Sequence, residues 1–191
     1  MSTPPAEYGA LKSRLAARVP LRVEKTGVME TAVALILAPG ARGPETLLIR
    51  RAEREGDPWS GHVALPGGRR EAEDADRLAT AVRETREEVG VELPASVLLG
   101  PLDDLHPSTP RLPALVISPF VFGLDARPRT RLSDEVSGVA WVPLAELRAC
   151  AGKAEIQLRG APLQVDCFRT GGLVIWGLTY RILSGFLPLL G

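Results

Sequence analysis

The stretch from Gly67 to Val91 contains Arg83-Glu84-Thr85-Arg86-Glu87-Glu88-Val89-Gly90. Its carboxylates at 84, 87 and 88 stand at i, i+3 and i+4, so on an α-helix they share one face. Like charges crowded in this way destabilise a helix unless a cation sits among them. A hard divalent cation such as Mg²⁺ or Mn²⁺ is the natural neutraliser. The segment therefore reads as a metal site first and a helix second. The blander alternative is a solvated acidic helix laced by i,i+4 pairs such as Arg83 with Glu87.

Around this helix the apolar pattern alternates between strand and helix signals. Thr31 to Leu37 is an apolar, β-rich run suited to a buried strand. A turn cluster from Pro39 to Pro44 separates it from Thr46–Arg50, and the two are expected to form a hairpin. His62 to Leu65 reads as a short strand ending at Pro66-Gly67-Gly68. Asp74 or Asp76 can start the carboxylate helix, with Leu78, Ala81, Val82 and Thr85 on its inner face and Gly90 as its stop. Val97–Leu102, Ala114–Gly123, Val136–Val142 and Gln164–Phe168 are further strands, and a short helix begins at Pro143. Interspersed strands and helices with a mixed strand pattern predict a layered α/β or α+β fold.

Length and charge narrow the classes. A chain of 191 residues suits a single domain over 1–191, with an N-terminal helix over 6–19 and a C-terminal helical extension over 173–190. Basic and acidic residues balance at 23 each, so no broad basic surface for nucleic acid is implied. Cys150 and Cys167 show neither metal spacing nor a disulfide framework, which fits a cytoplasmic protein with reduced thiols. The N-terminus lacks the apolar core of a signal peptide. An amphipathic helix using Leu11, Leu15 and Val19 is a simpler reading than a transit peptide. Leu173 to Leu190 approaches a membrane span in length. Arg181 near its middle, Gly177 and Gly185 within it and Pro188 at its end argue for a packed helix instead, so no stable membrane insertion is expected. Its surplus of Leu, Ile and Phe leaves an apolar face on which a homodimer could form.

Leu65-Pro66-Gly67-Gly68 followed by the carboxylate helix resembles the box of the Nudix hydrolases, G-x5-E-x7-R-E-U-x-E-E-x-G-U, where U is a bulky apolar residue. Arg83 to Val91 fits the second half, with Thr85 at the first U. The first half is one residue longer than the pattern, and Asp74 stands in for its Glu. The coenzyme A pyrophosphatase branch tolerates this form, with a run like Thr80-Ala81-Val82-Arg83-Glu84. Leu102-Asp103-Asp104, Thr109-Pro110 and Ile175-Trp176-Gly177-Leu178-Thr179 extend that likeness. Asp57 departs from the branch, which has Arg there.

The resemblance implies a Nudix-type α/β/α sandwich with a mixed sheet and a C-terminal helix. It implies pyrophosphate hydrolysis in a nucleoside-diphosphate-X substrate with Mg²⁺ or Mn²⁺. Glu84 and Glu88 would be metal ligands and Glu87 a third ligand or a base. The Gly67-Gly68 turn lets backbone approach the metal closely, with a Gly68 carbonyl to complete the shell. Arg83 would orient the carboxylates. Glu135, in the loop before the strand Val136–Val142, is a candidate general base or else a structural residue. Arg50, Arg51, Arg54, Arg69 and Arg70 flank the box and suit phosphate, though ordinary surface charge is an equal reading for each. Trp59 either stacks on a base or covers the core. His62 and His106 form no metal spacing. Coenzyme A or an acyl form is the first substrate choice; ADP-ribose, NADH or a nucleoside triphosphate is the alternative. A non-catalytic nucleotide-binding module is the reading from another class, against which the intact Glu84, Glu87 and Glu88 speak.

Overall fold

A computed structural model describes residues 8–54, 60–107, 114–158 and 161–191. In chain order the elements are α1 (Gly9–Ala16), β1 (Met29–Gly40), β2 (Gly43–Arg51), β3 (Val63–Ala64), β4 (Gly67–Arg69), α2 (Arg77–Val89), β5 (Leu98–Pro101), β6 (Leu115–Gly123), β7 (Val136–Pro143), α3 (Leu144–Ala149), β8 (Ala151–Leu158), β9 (Ala161–Thr170), β10 (Leu173–Trp176) and α4 (Gly177–Phe186).

The expected hairpin is present: β1 and β2 run antiparallel from Leu37↔Thr46 to Gly40↔Gly43. Beyond it the two strands part, and two short strands fill the fork. β3 pairs with β2 through Ile49↔Ala64, and β4 pairs with β1 through Thr31↔Arg69 to Val33↔Gly67. The Pro66 carbonyl accepts the Ala34 N–H at 2.8 Å, which closes the fork. Gly67 and Gly68 are thereby held in the middle of a sheet rather than in a free loop. β6 lies parallel to β1, β5 pairs with β6, and β7 pairs with β2, which completes a mixed seven-stranded sheet.

Both faces of this sheet are covered, as a continuous apolar strand requires. Leu35 and Leu37 of β1 point to one face, where Leu11 and Leu15 of α1, Leu147 of α3 and Leu183 and Phe186 of α4 pack. Ala34, Ile36 and Ala38 point to the other, which holds Val89 of α2, Val91, Leu93 and Phe122. Each fully buried Leu, Ile or Phe contributes about 1.5–3 kcal/mol of transfer free energy. The result is the expected α/β/α layering.

α2 starts at Asp76, whose side chain accepts the Ala79 N–H, and stops at Gly90, which takes the left-handed φ of 68°. Ala81 and Thr85 are fully buried beneath it, with Leu78 and Val82 at the margin.

Three expectations need correction. The N-terminal helix, predicted over 6–19, spans Gly9–Ala16 among the described residues, and Val19 lies beyond it, 96% exposed. Residues 173–190 are not one helix: Leu173–Trp176 pairs with β9, and Gly177, at φ 66°, turns the chain from strand into helix. A run of apolar residues does not distinguish the two states, and β-branched Val174 and Ile175 favour the strand. Part of the apolar surplus invoked there for a homodimer, Ile182, Leu183, Phe186 and Leu187, is buried within the chain itself, whereas Leu178, Leu189 and Leu190 stay partly exposed. β8 was not anticipated. It forms, with β9 and β10, a separate three-stranded sheet. Among the described residues no helix is long and apolar enough to cross a membrane.

Candidate active site

Arg83 is the hub of the acidic helix. Its Nε and Nη2 donate to the two carboxylate oxygens of Asp74, each at 2.9 Å. Its Nη1 donates to Glu84 at 3.0 Å and to Glu87 at 2.9 Å, and Nη2 also reaches the Arg69 carbonyl at 3.0 Å. Asp74 is buried and accepts from the Glu71 N–H and the Thr80 hydroxyl as well. The Arg83 guanidinium therefore holds the Asp74 carboxyl far below the usual carboxylate range, and Asp74 raises Arg83 in turn. Only 19% of the Arg83 side chain is exposed.

Glu84 and Glu88 stand against the glycine turn. The Gly67 N–H donates to Glu88 Oε2 at 2.8 Å. A Cβ at Gly68 would lie 2.5 Å from the Glu84 carboxyl carbon, so glycine is what lets β4 approach that acid. At Gly67, φ is 145° and a Cβ would meet the Ala32 carbonyl oxygen at 2.2 Å. Burial raises the Glu84 carboxyl; Arg83 opposes this, and Glu87 and Glu135 add to it. Glu88, 3% exposed, is pushed up to about 7 by burial, with Glu84 and Glu135 adding and the Gly67 bond and Arg51 opposing. Two desolvated, mutually repelling carboxylates under a glycine turn fit a hard divalent cation, which would remove the penalty on both. Among the described residues no three acidic, imidazole or thiol groups already converge as a closed cage. The fit therefore rests on the donor chemistry of Glu84 and Glu88.

The loop between β6 and β7 is fastened to the end of α2. The Arg131 N–H donates to the Val89 carbonyl at 2.9 Å and the Ser133 N–H to the Glu88 carbonyl at 3.0 Å, capping the helix. This brings Glu135 close enough to act on both Glu84 and Glu88. Arg54 Nη1 donates to Glu135 Oε1 at 2.9 Å, and both side chains are 51% exposed.

The remaining sequence candidates separate. Arg50 is exposed at a register shift in β2, and Arg51, half-buried, acts on Glu88. Arg69 is exposed, whereas Arg70 is engaged by Glu30 and by the carbonyls of Asp74 and Ala75. With Glu30 and Glu71 these two line an open depression of about 340 Å³. Trp59 and Asp57 lie outside the described residues, as do Thr109 and Pro110. The His62 ring meets the Trp176 ring edge-on at 4.6 Å, and His106 lies between Lys25 Nζ and the Leu115 carbonyl.

One network escaped sequence reasoning. Asp104, with its side chain fully buried, accepts from Arg22, the Val23 N–H, Arg77 and the Ser118 hydroxyl at 2.6–2.9 Å. Arg77, the first residue of α2, also donates to Glu30 of β1 and to the Val23 carbonyl. The acidic helix is thus pinned at its start to β1, β6 and the chain before β1. The Asp103-Asp104 pair was visible only as a resemblance, because its partners are remote in sequence.

Comparison with known proteins agrees with this geometry. The sequence model of the NUDIX domain matches residues 29–161. An uncharacterised protein of Schizosaccharomyces pombe is 42% identical over 60% of this chain, and the match spans 36% of that protein's length. The human mitochondrial coenzyme A diphosphatase NUDT8 is 32% identical over 83% of this chain and 70% of its own. The crystal structure of a MutT/nudix family protein from Enterococcus faecalis shares the fold, with a TM-score of 0.58 and 18% identity over 100% of this chain and 76% of that one.

Proposed function

From the premise that this chain belongs to the Nudix hydrolase family and is a pyrophosphohydrolase, we propose that it cleaves coenzyme A or an acyl form, giving 3′-phosphoadenosine 5′-phosphate and a phosphopantetheine. One observation carries the hydrolytic reading: two desolvated carboxylates, Glu84 and Glu88, held against the Gly67-Gly68 turn. The substrate reading rests on the similarity to the human coenzyme A diphosphatase over most of both chains.

In this reading Glu84 and Glu88, with a Gly68 carbonyl, would hold Mg²⁺ or Mn²⁺. When bound, such an ion polarises a phosphoryl oxygen and acidifies a water molecule. The chain's own residues do the rest. Arg83 fixes the rotamers of Glu84 and Glu87 through its Nη1. Glu135, whose charge acts on both Glu84 and Glu88, takes the proton of the attacking water, and Glu87 is the other acid available for that task. Arg50, Arg51, Arg54 and Arg69 supply guanidinium donors for the phosphates, with Trp59 available to stack on the base. Arg70, already engaged by Glu30, contributes chiefly to the shape of β4 and of the turn leading into α2. The chain forms one catalytic domain, and its two free thiols suit the cytoplasm.

Asp57, where the coenzyme A branch has Arg, favours a second reading in which another nucleoside diphosphate derivative is preferred. A turnover screen with coenzyme A, acyl-coenzyme A, ADP-ribose, NADH and nucleoside triphosphates distinguishes the two. The first reading expects the highest kcat/KM for a coenzyme A form; a nucleotide ranking above it would overturn that choice. Ligand binding without turnover of any pyrophosphate would leave a binding module instead.

A further inference from the structure

β9 enters the larger core through Phe168, and Cys167 beside it is buried, but the part of the β8–β9 hairpin nearer its turn stands apart from both core clusters. Its register places Ala154, Ile156 and Leu158 on the same face as Val165 and Leu163. These five side chains are half-buried, yet none packs against either of the two hydrophobic cores. The opposite face carries Lys153, Glu155, Gln157, Gln164 and Asp166, all exposed. β8 is also the edge of its sheet, in the order β10-β9-β8, so among the described residues its outer side has no pairing strand. An eight-residue edge strand with an aliphatic face is a template for another strand.

The side chains along β8 indicate which strand fits. Two copies of β8, run antiparallel about a two-fold axis at Ala154, bring Lys153 opposite the partner's Glu155, and the symmetry repeats this pair. On the other face Ile156 comes opposite the partner's Gly152. A Cβ built at Gly152 meets nothing within 4 Å, so the space beside this glycine is open to receive a large side chain. Charge and shape are therefore both self-complementary about the same residue, as an isologous contact demands. Among the described residues Lys153 pairs with Asp166 on the same hairpin, at 2.9 Å with both side chains largely exposed, a weak contact that leaves it able to face a second carboxylate.

We propose that β8 is a homodimerisation edge, pairing antiparallel with the same strand of a second copy about Ala154, so that the small sheet runs continuously through both chains. This contact uses no residue of the acidic helix or of the loop carrying Glu135, and so stands independently of the hydrolase reading.

Sedimentation velocity on the full chain over a wide concentration range tests it, together with two charge reversals at exposed positions. Lys153→Glu and Glu155→Lys each place like charges opposite one another, and each is expected to weaken dimerisation by about tenfold or more. Mixing the two variants in equal amounts restores opposite charges at both positions, so the mixture is expected to re-form a dimer. Circular dichroism and turnover per chain are expected to be unchanged in all three samples. A chain that stays monomeric throughout overturns the proposal. So does a dimer whose dissociation neither reversal moves, or a mixture that fails to recover.

Discussion

Asp74 accepts the Arg83 guanidinium through both of its oxygens, at 2.9 Å each, from beneath the glycine turn that precedes the acidic helix. The pair lies mostly out of solvent, and Arg83 passes the constraint on to Glu84 and Glu87. Removing one member of such a pair strands the other, at about 3–5 kcal/mol. Arg83 keeps Glu84, Glu87 and the Arg69 carbonyl, so Asp74→Ala is expected to lower unfolding free energy by only part of that amount and to reduce kcat by at least tenfold, because the guanidinium that positions Glu84 and Glu87 loses its own bidentate support. Denaturant unfolding and steady-state kinetics check this. Wild-type values in both would show that Arg83 is held by other means.

The two glycines of the turn should respond differently. A Cβ at Gly67 meets backbone at 2.2 Å and demands a φ that other residues avoid, so Gly67→Ala is expected to disrupt the β1–β4 pairing and lower the melting temperature sharply. The three atoms nearest a Cβ at Gly68 all belong to the end of the Glu84 side chain, which can move. Gly68→Ala is expected to fold nearly as well as the wild type while binding Mn²⁺ at least tenfold more weakly, as titration calorimetry would read. Equal metal affinity would remove Glu84 from the proposed ligand set.

These contrasts mark what could be read along the chain. Glu84, Glu87 and Glu88 were legible because helical periodicity is local, and the Asp76 and Gly90 caps of α2 because capping chemistry is local too. The short strand at His62–Leu65 was legible and appears as β3, but β4 and the fork were not, since a three-residue strand is defined only by its pairing. At Leu173–Trp176 an apolar run fitted strand and helix equally. In β8, Gly152, Lys153 and Glu155 are poor strand formers that register with β9 overrides. The Asp104 network joins residues 22, 23, 77 and 118, a spacing with no period to detect.

That network yields a prediction separating stability from chemistry. Asp104→Ala leaves Arg22 and Arg77 without their buried counter-charge and is expected to cost about 3–5 kcal/mol in chemical denaturation. Arg77 keeps Glu30, so the start of α2 stays tethered. In the folded fraction KM is expected to change little and kcat by only a few-fold. A kcat collapse without loss of stability would place Asp104 in the chemistry itself.

The buried Glu88 carboxyl predicts a pH signature opposite to that of an ordinary ion pair. Its folded-state value is raised from 4.5 to about 7, chiefly by burial, so the folded state binds the proton more tightly than the unfolded chain. Stability from this group is full below about pH 4.5, declines as pH rises, and is lost above about 7. The difference corresponds to about 3 kcal/mol. In metal-free buffer the melting temperature is expected to fall between these limits, and Glu88→Gln is expected to reduce that fall to the part left by Glu84, which burial raises in the same direction. Asp74 and Glu30, both shifted downward, titrate below this window and do not mask it. Added Mg²⁺ or Mn²⁺ is expected to raise the melting temperature most above pH 7, where Glu88 is ionised, and to do so far less in Glu88→Gln. A wild-type profile flat over the same range, or metal stabilisation equal in both proteins, would mean that Glu88 is neither desolvated nor a ligand.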